Sequence, residues 1–346
     1  MGQVLGVLST FLVGTTGFFL FRFLKFPNPA LLGAMFSTGL WNIAGLYPSF
    51  PLWPVSFSAN VVIGVMLGRQ IDRNLLRKVR DLLLYVVSMA AGLIMMSLLC
   101  GFTFYKLTGI PLKTSLVATS AGGITEMMIF GMSIDADLPV VACLQVFRVV
   151  IFLTLIPFIS LMNKGKPSGT IPGMAGVSPQ AQCFSRRDYL FMAAVAVTVA
   201  AIATYFKVPT GAMLGAMLAS GCFAIFLRKS YCYDTRLRIA AQIGLGVVMG
   251  QRMTYAVVSQ LGQILVPALA TTAVMLVGCI ALAFLLHKLS GWDILTCLLC
   301  TAPAGLSQIT VFAEEIGADS FTASVFHTVR ILSIVSIYPW IVLWAI

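Results

Sequence analysis

Between Leu82 and Tyr105 the chain passes without a charged residue, and apolar runs of similar length recur from end to end. A run of about 20 apolar residues is what an α-helix needs to cross roughly 30 Å of hydrocarbon. Of the 346 residues, 59% are hydrophobic and only 10% charged, whereas a soluble domain carries about 25% charged residues. The sequence is written for lipid. Within lipid every backbone polar group must be satisfied internally, which leaves helices and closed barrels. These runs do not alternate apolar with polar residues, so a β-barrel is excluded. The first run, 4–24, lacks a basic n-region and a small-residue cleavage site, and reads as a retained span rather than a signal peptide.

The formal net charge is +11. Its Lys and Arg residues cluster at the ends of apolar runs, as orienting charges do, so nucleic acid is not an expected partner. Of the eight cysteines, Cys100, Cys143, Cys279, Cys297 and Cys300 lie inside apolar runs, where a thiol behaves as a small hydrophobe. Cys297-Leu-Leu-Cys300 matches a CxxC pattern, but it sits in a hydrophobic helix with no second pair nearby. It reads as packing.

Six apolar segments fill the first half, at about 4–24, 29–46, 55–69, 82–107, 111–134 and 138–162. A Gly-, Pro-, Ser- and Gln-rich linker follows over 163–187, and six similar segments occupy 188–346. The halves align without a gap at an offset of 182 residues. Gly33-Ala34-Met35 falls on Gly215-Ala216-Met217, and Gly64 and Gly68 fall on Gly246 and Gly250. Thr119, Gly123, Phe130, Asp137 and Arg148 fall on Thr301, Gly305, Phe312, Asp319 and Arg330. Shared apolar composition cannot align Gly, Asp and Arg in this way, so the chain is an internal duplication: repeat 1–162, linker 163–187, repeat 188–346.

Basic residues orient the repeats. In the first half Arg69, Arg73, Arg77, Lys78 and Arg80 follow the third segment, and none follows the second. In the second half Arg228, Lys229, Arg236 and Arg238 follow the second segment, and only Arg252 follows the third. Because Lys and Arg stay cytoplasmic, equivalent loops lie on opposite sides of the membrane. The expected fold is an all-α polytopic membrane protein of two inverted repeats. Each repeat has five to six transmembrane segments, 10–12 in all, and one discontinuous helix. Inversion needs an odd number of crossings per repeat, and the short 29–46 segment is the best candidate for one that does not cross.

The chemistry concentrates in Thr119-Ser-Ala-Gly-Gly-Ile-Thr-Glu126 and its copy Thr301-Ala-Pro-Ala-Gly-Leu-Ser-Gln308, each midway through an apolar segment. Adjacent small residues and Pro303 weaken a helix. Broken backbone at membrane depth is tolerated only where it is buried in protein or lines a wet cavity. The half-helix that begins there points free N–H groups and a positive dipole end at that space, where an anion can bind. Gly122, Gly123, Thr125 and Glu126, with Gly305, Ser307 and Gln308, are therefore candidate substrate-binding residues. The competing reading is close packing through small residues.

The next segment of each repeat carries Arg148 and Arg330, with Gln145 and His327 three residues earlier on the same helical face. Ionisable residues so deep in a span mark a substrate pathway or an internal ion pair. Arg148, Arg330 and His327 join the candidate site; pairing of Arg148 with Glu126 is the alternative. Asp137 and Asp319 precede these helices as expected N-caps.

The stretches TSAGGITEMMIFGMSIDADLPVVACLQVFRVV and TAPAGLSQITVFAEEIGADSFTASVFHTVRIL resemble the duplicated signature of the AbrB family of bacterial membrane proteins. That signature runs roughly SPGG, small and polar residues, GAD, then Gln-x-x-Arg. The similarity covers nearly the whole chain, including PNPALLGAM and VVIGVMLGRQ. The chain departs from the signature at Ala121 (for Pro), Ala304 (for Gly), His327 (for Gln) and Asp135 (for Gly). The break in the first repeat must therefore be made by glycines alone. More loosely, a Gly-rich break opening a half-helix resembles bile-acid:sodium symporter and cation:proton antiporter folds. The resemblance implies a multi-pass protein of the bacterial inner (plasma) membrane.

The family carries the labels transcriptional regulator and ammonia monooxygenase. A monooxygenase needs a metal or flavin site, yet His287 and His327 are far apart, no carboxylates cluster with them, and no dinucleotide fingerprint appears. A DNA-binding regulator needs a soluble basic module, and the longest polar stretch is the linker. The expected function is secondary transport of a small organic anion coupled to H⁺ or Na⁺, with a membrane sensor acting indirectly on gene expression as the alternative. The partners are then a small-molecule substrate, the bilayer and a coupling ion, with a homodimer left open. No enzyme activity, catalytic residue, metal or cofactor is expected.

Overall fold

The computed structural model describes residues 2–26, 28–45, 53–68, 71, 73–162, 186–227, 235–253, 255–303 and 320–346. These form fourteen α-helices. The first repeat holds α1 (Gly2–Phe23), α2 (Pro29–Ile43), α3 (Trp53–Gly68), α4 (Arg73–Asp81), α5 (Leu83–Thr108), α6 (Leu112–Thr119), α7 (Ile124–Ser133) and α8 (Leu138–Met162). The second holds α9 (Arg186–Tyr205), α10 (Gly211–Leu227), α11 (Thr235–Gly250), α12 (Tyr255–Ser290), α13 (Ile294–Thr301) and α14 (Ser320–Ala345). The chain is a polytopic helical membrane protein. Five helices contain stretches long and apolar enough to cross a bilayer: Gly6–Phe23, Leu83–Thr108, Asp188–Tyr205, Ile264–Ser290 and Thr322–Ala345.

Burial is inverted relative to a soluble protein. Trp344 is 91% exposed, whereas Arg148 is 3% and Arg330 1% exposed. Large apolar side chains such as Leu84, Met95, Val266 and Val277 point outward, where only hydrocarbon makes their exposure favourable. Each apolar segment of the first repeat became a helix, with two refinements. The fifth is split, and the basic stretch after the third contains the short amphipathic helix α4.

Several backbone features recur at the offset of 182 residues. At the offset of 182, α3 and α11 begin and end at equivalent residues, and so do α6 and α13. The turn between α1 and α2 places Lys25 and Asn28 at φ of 54° and 49°, and its copy places Lys207 and Thr210 at 52° and 54°. A β-branched residue such as Thr210 rarely adopts this left-handed conformation, so the fold of the turn overrides local preference. Gly109 and Gly291, both at φ 70°, repeat the pattern after α5 and α12.

The chain divides into two compact units that do not follow the repeats. The first comprises Met1–Arg73, Met128–Ala142 and Ala181–Gly262; the second comprises Asn74–Met127, Cys143–Gln180 and Gln263–Ile346. In the first unit the two repeats interlock. Gly64 and Gly68 of α3 lie against the Met213 and Met217 carbonyls of α10, while Gly246 and Gly250 of α11 lie against the Leu31 and Met35 carbonyls of α2. These are the same contacts read at the offset of 182, so one packing solution is used twice. In both, small residues bring backbone against backbone.

In the second unit the long helices α5 and α12 cross. Gly92 meets Leu282, Met96 meets Gly278, and Cys100 donates to the Thr271 carbonyl at 3.7 Å. As α5 advances, α12 recedes, so the two run antiparallel. Met96 and Gly278 occupy the same repeat position and face each other.

The departure at Asp135 also has a structural account. It closes α7 in the left-handed conformation at φ 52°, with the Ala136 N–H donating back to the Gly131 carbonyl at 2.9 Å. This is the helix-ending turn in which glycine is the usual residue. Asp tolerates the conformation better than most, and its carboxylate accepts from Arg252 at 2.6 Å on the surface.

Replacing Gly246 by Ala puts a Cβ into the Leu31 carbonyl and Ala34, whereas Gly262 has open space around it. We expect Gly246→Ala to lower the stability of the detergent-solubilised protein by about 1–3 kcal/mol. Gly262→Ala should raise it by up to about 1 kcal/mol. Thermal unfolding of both variants beside wild type tests the contrast.

Candidate functional site

A helix that stops inside a membrane leaves its last carbonyls without intrahelical donors. α6 stops after eight residues. Ser120 turns extended (φ −62°, ψ 141°), Ala121 and Gly122 bend, and α7 begins at Ile124. The break expected from the sequence is therefore present in the first repeat. Its backbone groups are satisfied by side chains from neighbouring helices of the second unit.

Tyr338 of α14 donates its hydroxyl to the Leu116 carbonyl at 2.8 Å. The Gln145 amide of α8 donates to the Val117, Ala118 and Ser120 carbonyls at 3.2–3.3 Å. Arg148 donates Nη1 to the Ser120 carbonyl and Nη2 to the Gly122 carbonyl at 2.7 Å, and Nη2 also to the Gln145 side-chain oxygen. The Ala121 N–H donates to Ser97 Oγ of α5 at 2.9 Å. A guanidinium over the carbonyl end of a half-helix also meets the negative end of the helix dipole.

The second repeat performs the same task with different residues. Arg330 donates to the Ala302 carbonyl at 2.6 Å, the equivalent of Arg148 on Ser120. His327 stands for Gln145, its Nε2 lying 2.8 Å from the Leu299 carbonyl, the equivalent of Val117. A carbonyl only accepts, so Nε2 carries the proton and Nδ1 is bare, with no hydrogen-bond partner among the described residues. Thr119 and Thr301 donate in parallel to the Ser97 and Cys279 carbonyls, at 3.2 and 3.1 Å.

One pair of departures is explained together. Ala121 has an N–H at the break and Ser97 receives it. At the equivalent positions Pro303 has no N–H and Cys279 has no hydroxyl. The residue before each, Ser120 or Ala302, has the extended conformation that a following proline requires. The first repeat thus does not break on glycines alone; a serine from α5 holds the break open.

The start of α7 carries the remaining first-repeat candidates. Thr125 is buried at the second helical position. Glu126, at the third, folds its carboxylate back against Gly123, where any Cβ would collide with it. This is the geometry by which an N3 glutamate caps its own helix. Gly123 is therefore required by close approach. Glu126 lies within electrostatic range of Arg330. Arg148 makes no ion pair with Glu126; it shares its field with Arg330, the like charge.

The structure thus gathers Gly122, Gly123, Thr125, Glu126, Arg148, His327 and Arg330 within one compact unit. Gly305, Ser307, Gln308 and Asp319 lie outside the described residues. Asp137 takes the N-cap position of α8, its carbonyl accepting from Val141 at 3.1 Å. Cys297 and Cys300 are buried thiols that are not joined in a disulfide. Ser97 and Tyr338 were missed, although comparing the repeats residue by residue exposes Ser97: the Ser/Cys difference at 97/279 tracks the Ala/Pro difference at 121/303.

A family model described as "Transition state regulatory protein AbrB" matches residues 2–160 and 53–345. A Bacillus subtilis (strain 168) protein named "Uncharacterized protein YhjN" is 20% identical over 289 residues, 81% of this chain and 75% of that protein. The Escherichia coli (strain K12) protein "Putative regulator AbrB" is 23% identical over 319 residues, 90% of this chain and 88% of its own length.

Removing the hydroxyl in Ser97→Ala strands the Ala121 N–H in a buried site, at a cost of about 1–3 kcal/mol. Ala121→Pro removes the same N–H at a residue whose neighbour already has the required conformation. The Ser97→Ala/Ala121→Pro double variant should recover most of the loss. A thermal-unfolding cycle of the four proteins measures this coupling, and additive losses would show that the Ser97 bond does not hold the break.

Proposed function

The chain belongs to the AbrB family, and from that membership and the site geometry we propose that it is a secondary transporter of a small organic anion in the bacterial inner membrane. The observation that carries this reading is the pair of buried arginines at the edge of a broken membrane helix. Each is bonded to backbone carbonyls, which fix its position but leave its full positive charge. Among the described residues Glu126 is the carboxylate within electrostatic range of Arg330, and two arginines against one carboxylate suit an anion. A cage of this kind at the break between half-helices is how secondary transporters hold small charged substrates.

The two repeats are inverted in this reading. The exchanged basic loops support it, and so does the antiparallel crossing of the equivalent long helices α5 and α12. A transporter built this way exposes its site alternately by moving one set of elements against the other.

Glu126 supplies the coupling. Its carboxylate holds the anion position at the mouth of α7, so substrate and carboxylate compete for the same positive end. Neutralising Glu126 with a proton, or screening it with Na⁺, frees the half-helix N-terminus for the substrate carboxylate, with Thr125 and the Gly122–Gly123 backbone as donors. In the sequence of the second repeat the equivalent residues are Gly305, Ser307 and the neutral Gln308, which lacks the carboxylate this coupling uses. The second reading, a membrane sensor acting on gene expression, draws on the regulator in the names of the family model and of the E. coli relative.

Solute flux into proteoliposomes separates transport from sensing. Arg330→Lys keeps the charge but loses the planar fork, and should weaken substrate affinity by roughly tenfold or more, about 1.4 kcal/mol. Glu126→Gln should transport with little dependence on pH or Na⁺. Wild-type affinity in a well-folded Arg330→Lys protein would mean that the arginines serve only as caps.

Sidedness is tested separately. Arg77 and Arg236 are both exposed. Single cysteines at either position in a cysteine-less background should both resist an impermeant thiol reagent added outside intact cells. Labelling of one alone would indicate parallel repeats.

A further inference from the structure

The short helix α4 has no part in the site around the break. Its sequence carries Arg73, Arg77, Lys78 and Arg80 against the single acid Asp81. Helical spacing sets Leu75, Leu76 and Val79 along one side and the arginines along the other. Leu75 and Val79 are half-buried, whereas Arg77 and Arg80 are exposed. Among the described residues neither of these two arginines has an ion-pair partner.

The depth of α4 in the bilayer follows from what comes next. Leu82, with φ −107° and ψ 15°, separates it from α5. Leu83, Leu84 and Val87, in the first turns of α5, are 53%, 70% and 55% exposed. They open a stretch, Leu83–Thr108, that is long and apolar enough to span. Arg80 precedes Leu83 by three residues, within about one helical turn of the hydrocarbon edge. That is the level of the lipid headgroups.

The second repeat shows what the fold itself requires here. At the offset of 182, Arg73, Arg77, Lys78, Arg80 and Asp81 answer to Tyr255, Ser259, Gln260, Gly262 and Gln263. The equivalent of Leu82 is Ile264, which lies inside α12. The break and the charges are therefore features of the first repeat alone. Orientation accounts for positive charge in this loop. It does not account for a separate helix with an apolar seam, because an orienting charge acts during insertion and needs no helix. A helix with one basic and one apolar side is suited to lie in the bilayer interface.

We propose that α4 is an interfacial helix that binds the headgroup phosphate of an anionic phospholipid between Arg77 and Arg80. The two stand three residues apart and are neighbours on one helical face. A guanidinium grips phosphate oxygens through two parallel hydrogen bonds. A zwitterionic headgroup brings its own cation, which a basic helix repels, so the charge of α4 selects an anionic one. The assignment does not depend on what the protein transports.

The test titrates the purified full chain in detergent with phosphatidylglycerol or, separately, phosphatidylcholine, and follows thermal unfolding. Phosphatidylglycerol should raise the unfolding temperature in a saturable, salt-sensitive manner, and phosphatidylcholine should not. Arg77→Gln/Arg80→Gln leaves Arg69, Arg73 and Lys78 to orient the chain. It should raise the phosphatidylglycerol midpoint by roughly tenfold or more, with the unfolding temperature in phosphatidylcholine unchanged. Arg77→Lys/Arg80→Lys keeps both charges and loses the fork; its midpoint should fall between the two, and it provides the readout if the glutamine variant does not fold. No preference for phosphatidylglycerol, or a wild-type midpoint in the variants, overturns the site. A response that soluble glycerol phosphate reproduces overturns lipid as its occupant.

Discussion

The structure around the site depends on one constraint: a helix broken within a membrane must have its freed carbonyls met by protein. An unsatisfied amide group in hydrocarbon costs several kcal/mol, and α6 ends where water does not reach freely. Arg148, Gln145 and Tyr338 reach it from other helices, and Arg330 and His327 do the same for α13. The positions of α8 and α14 follow from the need to deliver these side chains. The arginines are expensive at this depth, by about 2.5–3.5 kcal/mol on insertion scales. They are tolerated because the carbonyl ends of two half-helices supply opposite partial charge.

This arrangement makes structure and chemistry inseparable. A guanidinium that caps a carbonyl still carries its full charge, so the scaffold of the break is also the source of the positive field. Glu126 answers that field from the start of α7, bending back over Gly123. In the sequence, Glu126 of one repeat answers to the neutral Gln308 of the other, so the two repeats are not chemically equivalent. Gln145 against His327 adds a second difference, replacing an amide that donates to three carbonyls by an imidazole that serves one and keeps a bare nitrogen.

Much of this was legible in the sequence because membrane burial is a blunt filter. Apolar length located the helical segments of the first half, whereas the left-handed residues that recur at the offset of 182 had no sequence signal. The break at Ser120–Gly123 was legible because small residues cluster there. The use of Arg148 was not: a deep arginine signals a pathway or an ion pair equally, and only geometry showed it on carbonyls rather than on Glu126. Ser97 was invisible alone, since a serine in an apolar helix usually bonds its own backbone. Helix α4 was hidden in a run of positive charge whose first role is to fix orientation. The compact units were also hidden, because apolar periodicity says which face of a helix is buried and not which helix buries it.

The meeting of Met96 with Gly278 carries a consequence of its own. Both residues hold the same place in their repeats, so in a dimer of identical half-length chains this point would lie on the symmetry axis and each residue would face its twin. Two methionines there would collide, and two glycines would leave a hole. Two copies free to diverge, as they are within one polypeptide, can set a protrusion against a hollow. This contact of the α5–α12 crossing is thus one that perfect symmetry forbids.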